Sequence, residues 1–377
     1  MPTAKHRTLA LGSVFSCLYR SPDALTKQEL SQSVGISLPT VNLALAELDE
    51  MGLLAQGPER DSTGGRPAIA YTVDRARTVF IGISVTGHSL RAVVCNLFGE
   101  EVGDPVPRRS IAGIGTAAEL ASAIADAACG LASALEASGS CVAGVGVAVP
   151  SAIGSHDGRL LNTKVLHLSD EAVFADDLTK GLPYPAGVFN DANCGALAER
   201  FPKADGSSYA YLSLERGVGG AIIVDGVPFD GPRGIAAEFG HICIERGGKR
   251  CACGKEGCLE AYCSSNVLSK ELGCTLDEFF ERAGQGDPDA ARILDDYIAH
   301  LVQGIQIVRV ALGCEVVLGG MLASYLIPYF DRIRDLARTL DPFDDGTAIV
   351  RLARDPRMGV PHGAADAMAL RFIKEMS

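Results

Sequence analysis

Apolar residues recur at helical spacing in three short segments at the start of the chain, over residues 7–19, 26–35 and 37–52. Thr26 opens the second segment with Glu29 three residues on, the pattern of a capping box, and Gly35 marks its end. Helix, glycine turn and helix in this order form the helix-turn-helix pattern. We therefore expect a small helical domain at this end of the chain.

Two short runs follow the third helix, Leu53–Gly57 and Arg66–Val73, and a polar loop over residues 59–65 separates them. Apolar runs around a polar tip predict two strands joined by a turn. Added to the three helices, such a pair is the wing of a winged helix. The pattern therefore predicts a winged helix-turn-helix domain over residues 1–73.

From Thr78 onward, buried strands alternate with long helices, a pattern typical of α/β layers. Strands are predicted over residues 79–85, 90–97, 101–109 and 143–150. Helices are predicted over residues 116–138, 290–312, 322–339 and 363–374.

Composition narrows the class of protein. The chain has 377 residues, 47% of them hydrophobic, which suggests two or three folded domains. No run approaches twenty uninterrupted apolar residues and no signal-peptide core follows the first residues, so we expect a cytoplasmic protein with no membrane partner.

The net charge of the chain gives only limited evidence about nucleic acid binding. A net charge of −12 argues against a general nucleic-acid coat, although a small DNA-reading domain depends on its local field. The first 73 residues carry six Lys and Arg against seven Asp and Glu. Contacts of this domain with phosphate are therefore expected to be weak and sensitive to salt.

One imidazole and three thiols lie within eighteen residues: His241, Cys251, Cys253 and Cys258. Four such donors complete a tetrahedral Zn²⁺ site with no position open to water, so the predicted metal is structural. The spacing disfavours the alternative of four unrelated residues in a cysteine-rich chain. The other nine cysteines mostly have apolar neighbours in the sequence and are interpreted as small buried hydrophobes.

The segment from Glu238 to Glu260, which contains Gly240-His241, Cys251-x-Cys253-Gly254 and Gly257-Cys258-Leu259, closely resembles the signature of the ROK family. That family contains sugar-responsive repressors, uncharacterised reading frames and sugar kinases. The resemblance extends from about Thr8 to the end of the chain. It implies an α/β fold in which the winged helix-turn-helix precedes a two-lobed, actin-like (RNase H-like) domain over residues 77–377. One lobe would span approximately residues 77–190 plus a C-terminal helix over 363–377, and the other residues 191–360.

The resemblance also implies a sugar site. Residues 190–193, Asn-Asp-Ala-Asn, match a family motif whose aspartate, here Asp191, is the general base of the kinases. Taken alone, this motif is equally well explained by a strand end followed by a helix cap. The positions that match sugar contacts in the family are Asn190, Asp191, Glu238, His241 and Glu260.

Family kinases hold ATP phosphates with two glycine-rich loops, and both are altered in this chain. The first is Ser84–His88, in which the carboxylate that would orient Mg²⁺ is missing. The second begins with Glu215 and Arg216 in place of small residues. Backbone amides cradle phosphates only where side chains leave room, so we expect a protein without catalytic activity. Asp191 would be catalytic only in a kinase.

The head resembles the winged-helix head of ROK regulators, including Gly64–Pro67 of the wing, and the family's kinases lack it. It departs from the family at Leu38 and Leu43, where arginines are common. Candidate DNA contacts lie at the start of the recognition helix and in the wing: Ser37, Thr40, Asn42, Arg60 and Arg66.

Three hypotheses follow. The first is a sugar-responsive transcriptional regulator, most simply a repressor, that binds operator DNA as a homodimer or homotetramer and a sugar or sugar derivative as effector. The second is an ATP-dependent hexose kinase that kept a DNA-binding head. The third is a zinc-stabilised scaffold whose winged helix serves protein contacts.

Overall fold

The computed structural model describes residues 4–57, 68–200, 207–343 and 346–376. Arg60, Arg66, the whole predicted wing loop over residues 59–65 and Ser377 lie outside the described residues. The head consists of α1 (Ala4–Arg20), β1 (Leu25–Thr26), α2 (Lys27–Val34), α3 (Leu38–Glu50), β2 (Leu54–Gln56) and β3 (Ala70–Val73). Its strands form an antiparallel sheet in the order β1-β3-β2.

Local side-chain hydrogen bonds define the ends of the head helices. The N–H of Thr26 donates to Glu29 Oε2 at 2.7 Å, so the predicted capping box is confirmed. Gly35 ends α2 in the left-handed conformation at φ 73°, and Ser37 caps α3. The buried residues of α3 are Val41, Ala44, Leu45 and Leu48.

We call the unit over residues 78–190 the first lobe. Its elements are β4 (Thr78–Val85), β5 (Ser89–Asn96), β6 (Arg109–Ser110), α4 (Ala117–Ala137), β7 (Cys141–Val149), α5 (Ala175–Thr179) and β8 (Ala186–Asn190). The sheet has the order β6-β5-β4-β7-β8, and β4, β7 and β8 are parallel. By length and composition α4 passes as a membrane span, the one such helix among the described residues, and its apolar residues, such as Ile124, pack on this sheet.

The next helix is α6 (Asp191–Arg200), and we call the unit over residues 207–352 the second lobe. Its elements are β9 (Tyr209–Leu214), β10 (Val218–Val224), β11 (Val227–Pro228), α7 (Glu260–Cys263), α8 (Ser265–Leu272), α9 (Leu276–Gly284), α10 (Pro288–Leu312), β12 (Glu315–Gly319), α11 (Met321–Tyr325), α12 (Phe330–Leu340) and β13 (Val350–Leu352). The sheet order is β11-β10-β9-β12-β13. Both sheets therefore repeat one topology, an antiparallel β-meander extended by two parallel strands.

The last helix, α13 (Gly359–Met376), packs on the first sheet and on α6, which also contacts β9 and β10. A Cβ on Gly363 would stand 1.7 Å from the carbonyl oxygen of Cys194, so this glycine permits the close approach of α13 to α6. The head shares a hydrophobic cluster with the first lobe and α13, in which Phe15 of α1 joins Phe80 and Met368. The head is thereby packed against the first lobe.

The structure differs from the sequence prediction at three elements. The strand predicted over residues 101–109 is reduced to a single bridge at Glu101 and the short β6, because most of this segment is exposed. The helix predicted over 322–339 is divided into α11 and α12 by a turn at Pro328, which cannot donate a helical hydrogen bond. The helix predicted to start at Gly363 begins at Gly359.

Candidate ligand and metal site

The candidate site lies where parallel strands of both sheets end, the edge at which open α/β sheets bind ligands. Asn190 ends β8, Ser151 follows β7, and residues 86–88 follow β4 in the first lobe. Glu215 follows β9 and Gly320 follows β12 in the second lobe. The repeated topology thus brings polar side chains from both lobes to one cleft.

Asp191 is the first residue of α6 and its side chain is half-buried. Its Oδ1 accepts a hydrogen bond from the N–H of Ala192 at 2.8 Å. Burial raises the pKa of Asp191 to about 7; the Ala192 N–H opposes this effect, and the charges of Glu215 and Glu238 add to it. The carboxylate can therefore exchange a proton or accept hydrogen bonds from a polyol near neutral pH.

Asn190 organises the end of β8. Its Nδ2 donates to the carbonyl oxygen of Ser151 at 3.1 Å, and its Oδ1 accepts from the N–H of Asn193 at 3.0 Å. Asn193 in turn donates to Asp230 of the second lobe at 2.6 Å. Asn190 thus holds the turn that presents Asp191, as a strand-end cap would, and one of its amide hydrogens already bonds the Ser151 carbonyl.

Glu238 is positioned by a segment pressed onto β10. A Cβ on Gly220 would stand 2.3 Å from the carbonyl oxygen of Ala237, so only glycine permits this approach. Ala237 has a φ of 61°, a conformation that costs a non-glycine residue about 1–3 kcal/mol. Burial raises the pKa of Glu238, His241 opposes this effect and Glu260 adds to it. A strained backbone and a crowded carboxylate are typical of a ligand site rather than of packing alone.

The four predicted metal ligands are brought together. Their ligand atoms all lie within 4.8 Å of one another. Cys253 Sγ and Cys258 Sγ are 3.7 Å apart, and Cys251 Sγ is 3.9 Å from His241 Nδ1. Two sulfurs bound tetrahedrally to zinc at 2.3 Å stand about 3.8 Å apart, so the cluster can hold one metal ion.

His241 connects the metal cluster to the carboxylates. Its Nδ1 faces Cys251, while its Nε2 lies 4.0 Å from Glu238 Oε2. Glu260 has the same double role, because its Oε1 lies 3.6 Å from Cys251 Sγ and its Oε2 accepts from the N–H of Val218 at 3.1 Å. A metal held here would fix both side chains at the wall of the cleft.

The two segments that would hold nucleotide phosphates are tight hairpins. Residues 86–88 join β4 to β5, and the N–H of Thr86 donates to the carbonyl of Ser89 at 2.9 Å. Residues 215–217 join β9 to β10, and Glu215 Oε1 accepts from the N–H of Met321 at 2.7 Å. Burial raises the pKa of Glu215, and the Met321 hydrogen bond opposes this effect. The Met321 N–H, the first backbone donor after the Gly319-Gly320 turn, is therefore already bonded to this carboxylate.

The lobes touch at both ends of the cleft mouth. Arg216 Nη1 lies 2.8 Å from His88 Nε2 at one end. At the other end, Ser155 Oγ donates to the carbonyl oxygen of Pro232 at 2.8 Å. Arg216 and His88 both stand at altered loop positions, but the sequence gives no sign that they meet or that Asp230 contacts Asn193, because these pairs are distant along the chain.

The three candidate DNA contacts within the described residues lie at the start of α3. Ser37 Oγ and Thr40 Oγ1 are 2.8 Å apart, and Ser37 also accepts from the N–H of Thr40, so both hydroxyls already serve the helix cap. Asn42 is exposed, with Leu38 and Leu43 beside it at 46% and 57% exposure. Asn42 is therefore the polar side chain of this group that is most available to a base edge.

Comparison with known protein sequences gives one family. A model of the ROK family matches residues 80–340. N-acetylmannosamine kinase of Haemophilus influenzae (strain 86-028NP) is 31% identical over 182 residues, which is 44% of this chain and 59% of that protein. The enzyme of the same name from Yersinia pestis (strain Pestoides F) is 30% identical over 162 residues, or 41% and 56%. The match therefore spans less than two thirds of these relatives.

Solved structures resemble the chain over greater lengths. A ROK family transcriptional regulator, a homolog of the E. coli MLC protein, superposes with a TM-score of 0.78 over 98% of this chain and 97% of that one, at 20% identity. A ROK family glucokinase from Streptomyces griseus, in complex with glucose and AMPPNP, gives 0.62 over 77% and 98%, at 25% identity. The fold is thus an actin-like α/β fold preceded by a helix-turn-helix head.

Proposed function

Because this chain belongs to the ROK family, we propose that it is a sugar-responsive, DNA-binding transcriptional regulator rather than a sugar kinase. A winged head over residues 1–73 would bind operator DNA, and a domain over residues 77–377 would bind the sugar in its cleft. The main support for this proposal is the hydrogen bond that the Glu215 carboxylate accepts from the Met321 N–H. A carboxylate at this position would repel the phosphates of a nucleotide bound at the second glycine-rich loop.

The sugar-binding half of the cleft supports a sensor. Asp191, Glu238 and Glu260 supply carboxylate oxygens, which accept hydrogen bonds from hydroxyl groups more strongly than neutral acceptors do. His241 and Asn190 complete the proposed polyol site. In this proposal Asp191 acts as an acceptor for a ligand hydroxyl rather than as a general base.

The proposed metal is a structural Zn²⁺ held by His241, Cys251, Cys253 and Cys258. Three sulfurs and one imidazole nitrogen suit zinc, and they leave no open coordination position for chemistry. When bound, the ion supplies rigidity. His241 and Glu260 would then be held in place for the ligand.

The packing of the head suggests how sugar binding changes DNA binding. Because α1 shares its cluster with Phe80 and Met368, the head moves with the first lobe. Closure of the second lobe on a sugar would change the separation of two heads in a homodimer or homotetramer. Operator half-sites spaced by whole helical turns are sensitive to such a change. We place this action in the cytoplasm, where operator DNA is accessible, without a membrane partner.

A sugar kinase is the second candidate, favoured by the intact Asp191 and by the relatives named N-acetylmannosamine kinase. We expect the purified, zinc-loaded chain to bind a sugar by calorimetry yet transfer no phosphate from ATP to any of a panel of hexoses and N-acetylhexosamines. The matched control is Asp191→Asn, which removes the general base. Phosphorylation by the wild type that disappears in this variant would establish the kinase and refute the regulator.

DNA recognition gives a separate test. We expect Asn42→Ala to lower the preference for the operator over unrelated DNA by about 1–3 kcal/mol, because an amide can bond an adenine edge in two places. Fluorescence titration at several salt concentrations measures this preference, with and without sugar. Gln285→Ala, an exposed amide of the second lobe, is the control and should leave it unchanged. If the wild type binds no DNA at low salt, the head is a protein-contact module, the scaffold hypothesis gains and the regulator proposal falls.

A further inference from the structure

Three nitrogen-bearing side chains converge at one end of the cleft mouth. Arg216 of the second lobe contacts His88 of the first lobe at 2.8 Å. The ring of His88 stacks on that of His167, with centroids 5.3 Å apart and planes at 23°. Asn266 Nδ2 donates to the carbonyl oxygen of Arg216 at 3.0 Å and holds this hairpin in place. All three side chains of the cluster are exposed to solvent.

Among the described residues, this cluster has no acidic partner. Within the part of the chain that the structure describes, Arg216, His88 and His167 take part in no ion pair with an aspartate or glutamate within 4.0 Å. Most other contacts of arginine side chains here have an acidic partner, as Arg351 has in Glu199 and Glu315. The Arg216 guanidinium contacts a ring nitrogen of His88 through one of its nitrogens. Its other N–H groups are available to an anion that approaches from the solvent.

The cluster adjoins the proposed sugar site. Gly217, the residue after Arg216, lies against Glu260, since a Cβ there would stand 2.6 Å from Glu260 Oε2. The preceding residue, Glu215, turns its carboxylate the other way, onto the Met321 amide. The two neighbouring charged side chains of this hairpin therefore have different partners, the Met321 amide for Glu215 and the His88 ring for Arg216.

We propose that Arg216, with His88 and His167, forms a subsite for an anionic substituent of the effector, a phosphate or carboxylate group attached to the sugar. The sugar hydroxyls would lie on Asp191, Glu238 and Glu260, and the anion would join Arg216 of one lobe to the histidines of the other. The inference rests on the proposed function and specifies its ligand class. An anionic sugar would then hold the lobes closed where a neutral sugar would not.

The test compares matched ligands by calorimetry: a hexose and an N-acetylhexosamine, the 6-phosphate of each, and the corresponding uronic acids. We expect at least one charged form to bind about ten- to hundredfold more tightly than its neutral parent. The phosphate and uronic acid arms identify which anion is used. The ratio should approach one in Arg216→Gln and recover in part in Arg216→Lys. The control Arg233→Gln, an exposed arginine of the loop at the other end of the mouth, should keep the wild-type ratio.

The outcomes separate the two proposals. Equal binding of neutral and charged forms, or an unchanged ratio in Arg216→Gln, overturns the anionic subsite and leaves the sugar sensor standing. Binding of free inorganic phosphate as tight as that of the sugar phosphate, with no contribution from the sugar, also overturns it. Failure of every sugar, neutral or charged, to bind overturns both proposals.

Discussion

Replacing Cys258 by serine is expected to remove the metal and unfold the second lobe. Cys258 is 1% exposed, and Leu259 beside it is fully buried in the main hydrophobic cluster of that lobe. Apparent binding free energies of structural zinc are about 10–16 kcal/mol at neutral pH. This range is at least as large as the free energy of unfolding of a typical domain, about 5–15 kcal/mol. We therefore expect the second lobe to be unstable without the ion.

The measurements are zinc content by atomic emission and thermal unfolding with and without a chelator. We expect the wild type to hold about one zinc per chain and Cys258→Ser almost none, with a transition that is lost or shifted down strongly. Cys243→Ser is the matched control, because Cys243 is an exposed cysteine of the same segment outside the ligand cluster. A metal-free wild type with an unchanged unfolding transition would refute the structural role.

Replacing Asp191 by asparagine is expected to stabilise the ligand-free protein while it weakens sugar binding. In the folded chain the pKa of Asp191 is raised from 3.8 to about 7. The folded state then holds the proton more tightly than the unfolded state, so this group lowers the stability as pH rises from about 4 to about 7. Above pH 7 the full cost is present, and the neutral amide avoids it.

We expect a gain of about 1–3 kcal/mol in unfolding free energy for Asp191→Asn at pH 8 and little gain at pH 4, less than the full shift implies because the side chain is half-buried. Sugar affinity should fall about ten- to hundredfold, since a charge-assisted hydrogen bond is lost. Denaturant unfolding across pH and calorimetry measure the two effects, with Asp104→Asn, a change at an exposed aspartate of the first lobe, as a control. A variant that is destabilised at pH 8 would show that Asp191 is structural.

The candidate metal cluster and the head were largely predictable from the sequence because their determinants are local. The four candidate ligands lie within eighteen residues, so the loop alone restricts how they can meet. The capping box of Thr26 and Glu29 spans three residues. Short loops close at low entropic cost, and a local hydrogen bond forms without help from the rest of the fold.

The proposed sugar site was identified through a resemblance to a family, and its geometry came only from the structure. Spacing alone explained residues 190–193 equally well as a helix cap, and Asn190 does cap the turn. What distinguishes the site is the approach of Glu238 to Asp191, from segments that are separated along the chain. The pKa of Asp191 depends on this approach and on burial, and neither can be deduced from a local pattern.

The sequence by itself determined the helical head, the alternation of strands and helices, and a metal loop whose ligands are close in the chain. Only the tertiary structure decided that Glu215 occupies the amide of Met321, that Arg216 meets His88 across the cleft, and that the head shares its core with α13. These contacts join residues more than a hundred positions apart. They exist because two sheets of the same topology bring their strand ends together, and the packing of whole lobes, rather than any local preference, sets which side chains meet.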